Sequence, residues 1–364
     1  MKHLLKSLSL IIAIGFVAGN AIHFMANPVI PIILLIAALF FLKSPKHDMI
    51  TAAGIQREIW ENHIVANLFK NNEFLLKSVD ASEYVVRGKI VHIPQSGGLP
   101  NIVKNRTSIP ATVTSRTDTT NDYNLDAYTS DPILITNAEE VELSYNKRES
   151  ILYEHEAALR QNIAENMLYT WAPTANIINS TGIPNSNPAA TPTKSAAYLP
   201  SATGNRLNFT TWDLRQAQMK LDSSNVPEED RYALFSAQAY QQLITDMTAT
   251  QYRDFSSVMD PRTGVVGELF GFKIMKRSTS MAYDLTGSAA PKVVGAAGLA
   301  TDCDSVLCWQ SQAVERAIGD VLFFEQMNNP VYYGDLFSML VRMGGRKRRA
   351  AEENIVAIVQ GAAS

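Results

Sequence analysis

Residues 150–171 constrain this chain more than any other stretch, because side chains suited to packing recur there at helical spacing without a break. Ile151, His155, Leu159, Ile163 and Met167 fall at successive i, i+4 positions, and Leu152 and Leu168 widen the stripe. Glu154, Glu156, Arg160 and Glu165 occupy the remaining faces, and Pro173 closes the pattern. A helix of that length spans about 30 Å. It is long enough to act as the spine of a domain.

What surrounds this helix is mixed. Ile55, Ile59, Ile64, Leu68 and Phe69 predict an amphipathic helix over 51–69. Residues 84–93 are β-rich, a loop with two glycines and two prolines follows at 94–100, and β-branched residues resume at 112–116. A long hairpin fits this pattern. It holds too few large apolar groups to bury a core of its own, so it is expected to project from the body. Strands are expected near 131–135 and 140–143. The Pro, Ser, Thr, Asn and Ala content of 173–211 reads as an irregular insertion or mobile loop.

Further along, Leu214, Ala217 and Leu221 mark a second helix, 225–236 reads as a turn feeding a short strand, and 238–247 as another helix. Residues 264–275 form a glycine-punctuated strand pattern. Residues 306–328 mix strand and helix signals, and 335–343 and 355–359 look like closing strands. The result is an α+β order with no βαβ alternation and no internal repeat.

The first 48 residues are unlike the rest. Two apolar runs, 8–25 and 29–42, are separated by Asn27-Pro28, and Lys2, Lys6, Lys43 and Lys46 flank them against Asp48 alone. Three readings stand open: an upstream reading-frame extension with the soluble protein starting at Met49, a membrane hairpin, or a cleaved signal. With the segment's net charge of +3 removed from the chain's −3, residues 49–364 carry −6. A mildly acidic body argues against nucleic-acid affinity by bulk charge.

Catalytic motifs fail one by one. Glu154-His155-Glu156 lacks the second histidine that zinc proteases need four residues on, where Leu159 stands. Gly264, Gly267 and Gly271 are not followed by Gly-Lys-Ser/Thr, so no phosphate cradle is read there. Cys303 and Cys308 have no histidine nearby to complete four zinc ligands. The Glu139-Glu140, Glu228-Glu229 and Glu352-Glu353 pairs sit in polar contexts that suggest solvent. No catalytic residue, metal ligand or cofactor site is therefore assigned. One sharp charge feature remains: Arg342, Arg346, Lys347, Arg348 and Arg349. It reads as a solvated turn, a subunit contact or a contact to DNA phosphates.

Arm, projecting hairpin, long helix, mixed body and C-terminal return strand follow one another in an order that resembles the Hong Kong 97 fold of tailed-bacteriophage major capsid proteins over residues 49–364. Two stretches carry the resemblance. The run Val226-Pro227-Glu228-Glu229-Asp230-Arg231-Tyr232 is similar to a V-P-x-x-x-R-Y stretch before the family's axial-domain helix, and the glycine spacing from Gly264 to Ile274 is similar to the strand after that helix. The resemblance implies an arm at 49–75 and an extended loop with return strands at 76–140. It implies a peripheral domain at 141–224 with its spine helix at 150–171 and the insertion at 173–211. An axial domain at 225–335 and a return to the peripheral domain at 336–364 complete it.

The same resemblance implies a non-enzymatic, cofactor-free subunit of an icosahedral phage head, in the virion capsid and assembled in the host cytoplasm. Its partners would be itself, in hexamers and pentamers, then scaffold, portal and decoration proteins, and packaged double-stranded DNA by non-specific contact. A membrane enters only if residues 1–48 are genuine. Two alternatives stand beside it: an encapsulin-like shell around a cargo, and a membrane-anchored bacterial protein.

Overall fold

The computed structural model of the chain describes residue 64 and residues 72–362, apart from 86–89, 96–100, 108, 112, 114, 116, 117, 137–146, 185, 186, 188, 261 and 262. The chain divides into two compact units, Met1–Ile59 and Trp60–Ser364. The first lies outside the described residues. So do the apolar head at 1–48, the strand expected at 140–143, and the arm helix at 51–69 except for Ile64, which is helical and buried.

Within the second unit a short turn at Glu73–Leu76 leads to β1 (Val79–Asp80), β2 (Ile90–Gln95), β3 (Thr119–Asn124), β4 (Asp126–Thr129) and β5 (Ile133–Thr136). Helix α1 (Lys147–Trp171) follows, then β6 (Ile177–Asn179), β7 (Lys194–Ala196), β8 (Asn205–Leu207) and α2 (Thr211–Ser223). Next come β9 (Arg231–Phe235), α3 (Ala237–Asp246), α4 (Ala249–Ser256), β10 (Val265–Leu269) and β11 (Phe272–Lys276). Short strands β12 (Tyr283–Asp284), β13 (Ala290–Pro291) and β14 (Asp302–Cys303) precede β15 (Ser305–Gln310), β16 (Val314–Asn329), β17 (Gly334–Lys347) and β18 (Ile355–Val359).

A six-stranded sheet in the order β10-β11-β9-β15-β18-β6 forms the middle of this unit. Successive residues of a strand face opposite sides, and here both sides are covered. Tyr232, Leu234, Leu307, Trp309, Ile355 and Ala357 join the core built on Leu159, Ile163, Met167 and Trp171 of α1. Their neighbours Ala233, Phe235, Val306, Cys308, Val356 and Ile358 join Leu214 and Leu221 of α2, Leu243 of α3 and Phe255 of α4. This two-sided burial explains why β15 and β18 read as continuous apolar runs: no residue of either strand reaches solvent.

A second, five-stranded sheet has the long hairpin β16–β17 at its centre, with β1 parallel to β16 and with β4 and β5 both on the far edge of β17. Trp171, the last residue of α1, joins the layers. Its Nε1 donates to the Glu315 carbonyl at 3.1 Å, and its ring meets Phe74 edge-on at 6.0 Å and Trp309 at 6.1 Å.

The structure departs from the sequence expectations in four places. The return strand of the projecting hairpin is β3, registered from Ile90 opposite Asn124 to Gln95 opposite Thr119, and not residues 112–116. β-Branched residues favour a strand only where a partner strand is within reach, and Val113 is instead 94% exposed in the loop. The insertion at 173–211 is docked. Arg206 donates to the Thr203, Asn205 and Ala300 carbonyls and to Cys303 Sγ, while Leu207 N–H reaches the Gly361 carbonyl. Residues 306–328 contain no α-helix: apart from a single 3-10 turn at Ser311–Ala313 they belong to two strands, β15 and β16, in different sheets. Finally, the boundary expected at 335/336 falls at the start of β17, inside the β16–β17 hairpin, whose strands pair along their length; β18 returns to the six-stranded sheet beside β15.

Candidate functional site

The basic run occupies the end of β17 and the turn after it, and every one of its five cations meets a partner in the same chain. Arg342 faces Asp320 at 3.8 Å, Arg346 donates to the Asp122 carbonyl at 2.8 Å, and Arg349 meets Glu353 at 2.9 Å. Arg348 pairs with the buried Glu315 at 3.3 Å. Lys347 donates to the Ala172 carbonyl at 2.9 Å and to Glu352 at 2.6 Å.

Glu352 also accepts from the N–H groups of Thr174 at 2.8 Å and Ala175 at 2.9 Å, just beyond the end of α1. Burial pushes the Glu352 carboxyl up, but Lys347 and those two N–H groups outweigh it and hold the carboxyl below its usual range. Burial pushes Glu315 up, and Arg348 and Tyr123 offset it only in part. The run therefore clamps α1, β3, β16 and β17 together.

The other residues singled out from the sequence have structural settings too. Arg231 of the V-P-x-x-x-R-Y stretch is buried; it donates through Nε to the Pro227 carbonyl at 2.9 Å and through Nη2 to the Val226 carbonyl at 2.6 Å. Gly264 and Gly271 lie at φ +72° and +74° in turns, and a Cβ on Gly267 would stand 2.5 Å from the Phe255 ring. Cys303 and Cys308 are buried free thiols, both pushed up by burial. Among the described residues no group of three or more His, Cys, Asp or Glu could hold a metal, and no helix is long and apolar enough to cross a membrane.

Among the described residues, two hairpins carry clusters of exposed large apolar side chains. In the loop between β2 and β3, Ile102, Ile109 and Val113 are 89%, 88% and 94% exposed. At the turn between β16 and β17, Val331, Tyr332 and Tyr333 are 74%, 54% and 79% exposed, with Phe324 and Met327 beside them in sequence, both also exposed. This second tip is held firmly: Asn328 N–H donates to Asp335 at 2.7 Å and Val331 N–H to Asn329 at 2.8 Å, while Tyr333 sits at φ +51°. Sequence reading missed the tip, since Phe324, Met327 and the tyrosines resemble core residues until the strand pairing is known.

This architecture is the Hong Kong 97-type fold of tailed-phage shell subunits. The chain is similar to the capsid structure of cyanophage P-SCSP1u, with TM-score 0.56 and 18% identity over 79% of this chain and 87% of that one. It is also similar to the capsid of Ralstonia phage GP4, with TM-score 0.51 and 12% identity over 79% and 88% of the two chains. The head structure of Helicobacter pylori bacteriophage KHP40 aligns with TM-score 0.50 and 9% identity over 78% and 89%. No protein-family model and no curated protein matches the sequence.

Proposed function

We propose that the chain is the major capsid protein of a tailed bacteriophage, a structural subunit and not an enzyme, assembling with copies of itself into hexamers and pentamers of an icosahedral head around double-stranded DNA. The observation that carries this reading is the shell-subunit fold joined to two hairpin tips whose large apolar side chains stand exposed among the described residues. A soluble monomer rarely exposes such clusters, whereas a neighbouring subunit covers them. The β2–β3 hairpin is then the extended loop lying over a neighbour, α1 with the β16–β17 hairpin forms the peripheral domain, and the six-stranded sheet with α2–α4 supports the axial one. Scaffold, portal and decoration proteins are the further partners of this reading, and host cytoplasm the place of assembly.

The experiment is size-exclusion chromatography and negative-stain electron microscopy of the full chain. Closed shells or capsomer rings are the expected result, and a monomer at every concentration tested would overturn the reading. Particles purified from infected cells decide what is enclosed: DNA fits a phage head, and a packed cargo protein would transfer the chain to the encapsulin-like alternative.

A further inference from the structure

We infer that Arg215 of one copy docks the Glu228-Glu229 turn of a second copy, a contact between unlike patches that repeats around a ring of subunits. The inference rests on the assembly reading above and names a surface and its occupant within it.

Arg215 is exposed on α2, and its guanidinium lies near two aromatic rings, 5.9 Å from the Trp212 centroid and 5.7 Å from that of Phe270. Rings against the faces of a guanidinium leave its in-plane N–H donors open, the edge that matches a carboxylate. Among the described residues Arg215 has no carboxylate partner. One of its rings is held at some cost in the backbone. Phe270 sits at φ +51° in the β10–β11 turn, a conformation unfavourable for a bulky residue. Met219, four residues along α2 and 60% exposed, adds a further apolar side chain to the same helix. Trp, Arg, Phe and Met are the residues in which buried interface centres are enriched.

The acidic counterpart is the turn between α2 and β9. Glu228 and Glu229 are both exposed, and neither has a cation partner among the described residues. Their backbone is nonetheless fixed. Arg231 holds the Val226 and Pro227 carbonyls, Ser311 N–H holds the Asp230 carbonyl at 3.0 Å, and Asn225 and Asp230 lie at φ +53°. A turn already ordered in the free subunit loses little freedom on docking. Among the described residues the cation has no acid and the two acids have no cation, so each patch meets the other's charge in a second copy. A lone arginine among apolar side chains is poorly suited to DNA, which is bound by several cations together. Contacts between two unlike patches close into rings when the rotation permits.

The test uses the full chain in four forms: unaltered, Arg215→Glu, Glu228→Lys with Glu229→Lys, and all three reversals together. Assembled particles are counted by light scattering and negative stain, and thermal melting reports folding. Each one-sided reversal is expected to cut assembly by about tenfold or more while melting like the unaltered chain, and the triple reversal to restore it. Should a reversal unfold the subunit, the milder Arg215→Gln replaces it, with a several-fold loss expected. Normal assembly of a one-sided variant, as would occur if the patch served another protein, overturns the inference. So does a folded triple variant that stays unassembled. An unaltered chain that never assembles fails one step earlier, at the proposed function itself.

Discussion

The Arg231 guanidinium meets the Asp222 carboxylate at 2.7 Å, with the arginine side chain 1% exposed and the aspartate 42% exposed. A buried arginine is tolerated because its remaining donors are taken up by the Val226 and Pro227 carbonyls. The side chain thereby ties the end of α2 to the start of β9. Arg231→Ala removes both donors at once while leaving Asp222 in water, so the loss falls mainly on the orphaned carbonyls. It is expected to lower subunit stability by about 2–3 kcal/mol. Arg231→Lys, with no fork, should recover less than half. Chemical denaturation of the unassembled subunit measures this, and a loss below about 0.5 kcal/mol would contradict the role given to Arg231.

Gly345 makes a prediction of the opposite kind, from crowding. A Cβ there would stand 2.4 Å from the Glu315 carbonyl oxygen, 2.4 Å from Met167 Cε and 3.1 Å from Trp171 Nε1. Met167 Cε is the far end of a flexible side chain, but the β16 backbone and the buried indole cannot give way. Gly345→Ala is expected to destabilise by about 1–3 kcal/mol. The same change at Gly271, where nothing stands within 4 Å, meets no crowding and is penalised only through its φ of +74°. Equal melting temperatures for Gly345→Ala and the unaltered chain would refute the close approach.

These two residues show what the sequence discloses. The helix at α1, the strand at β9 and the turn at 225–230 were legible because their signals are local: periodicity, an apolar run, turn residues. Gly345 carried no such signal, since its reason is the Glu315 carbonyl and the Trp171 indole, far away in sequence. Long-range pairing hid the rest in the same way. Nothing local to 355–359 says that β18 will pair with β15, and nothing local to 173–211 says that Arg206 will dock it on Ala300 and Cys303. The basic run was visible as charge. Its partners, Asp122, Glu315 and Glu352, come from β3, β16 and the turn before β18, which is why the sequence alone left several readings of it open.

Asp304 sets a pH dependence. Its buried carboxyl accepts from the Ser236 hydroxyl and from the Ser305 N–H at 2.9 Å, and burial pushes it up to about 6 despite these bonds. A carboxyl whose folded value lies above its unfolded 3.8 favours the protonated fold. The penalty is thus fully present above pH 6 and is relieved as pH falls from about 6 towards 4. Asp304→Asn removes that slope. Measured against the unaltered subunit, the variant should gain up to roughly 3 kcal/mol in relative stability between pH 4 and pH 8. Glu352, held below its usual range, works in the other direction and loses its contribution under acid, so the comparison must be made between variants and not on one protein alone. A pH-independent difference would remove Asp304 from this account.

Tyr333 separates folding from assembly. It is 79% exposed, sits at φ +51° and precedes Gly334, whose own Cβ would collide with the Ile135 carbonyl at 2.2 Å. The left-handed conformation is unfavourable for tyrosine and natural for glycine. Tyr333→Gly therefore keeps subunit stability or raises it by up to about 1 kcal/mol. If the tip is covered by a neighbour, as the proposed shell requires, the same change removes a large apolar contact and assembly falls. Tyr332→Asp should lower assembly further with the melting temperature unchanged, because Tyr332 is itself 54% exposed. Stability and assembly moving in opposite directions in one variant is the expected signature, read by melting of the subunit and by particle yield. A Tyr333→Gly chain that loses stability and assembles normally would place the tyrosine in the fold and leave the tip without an assembly role.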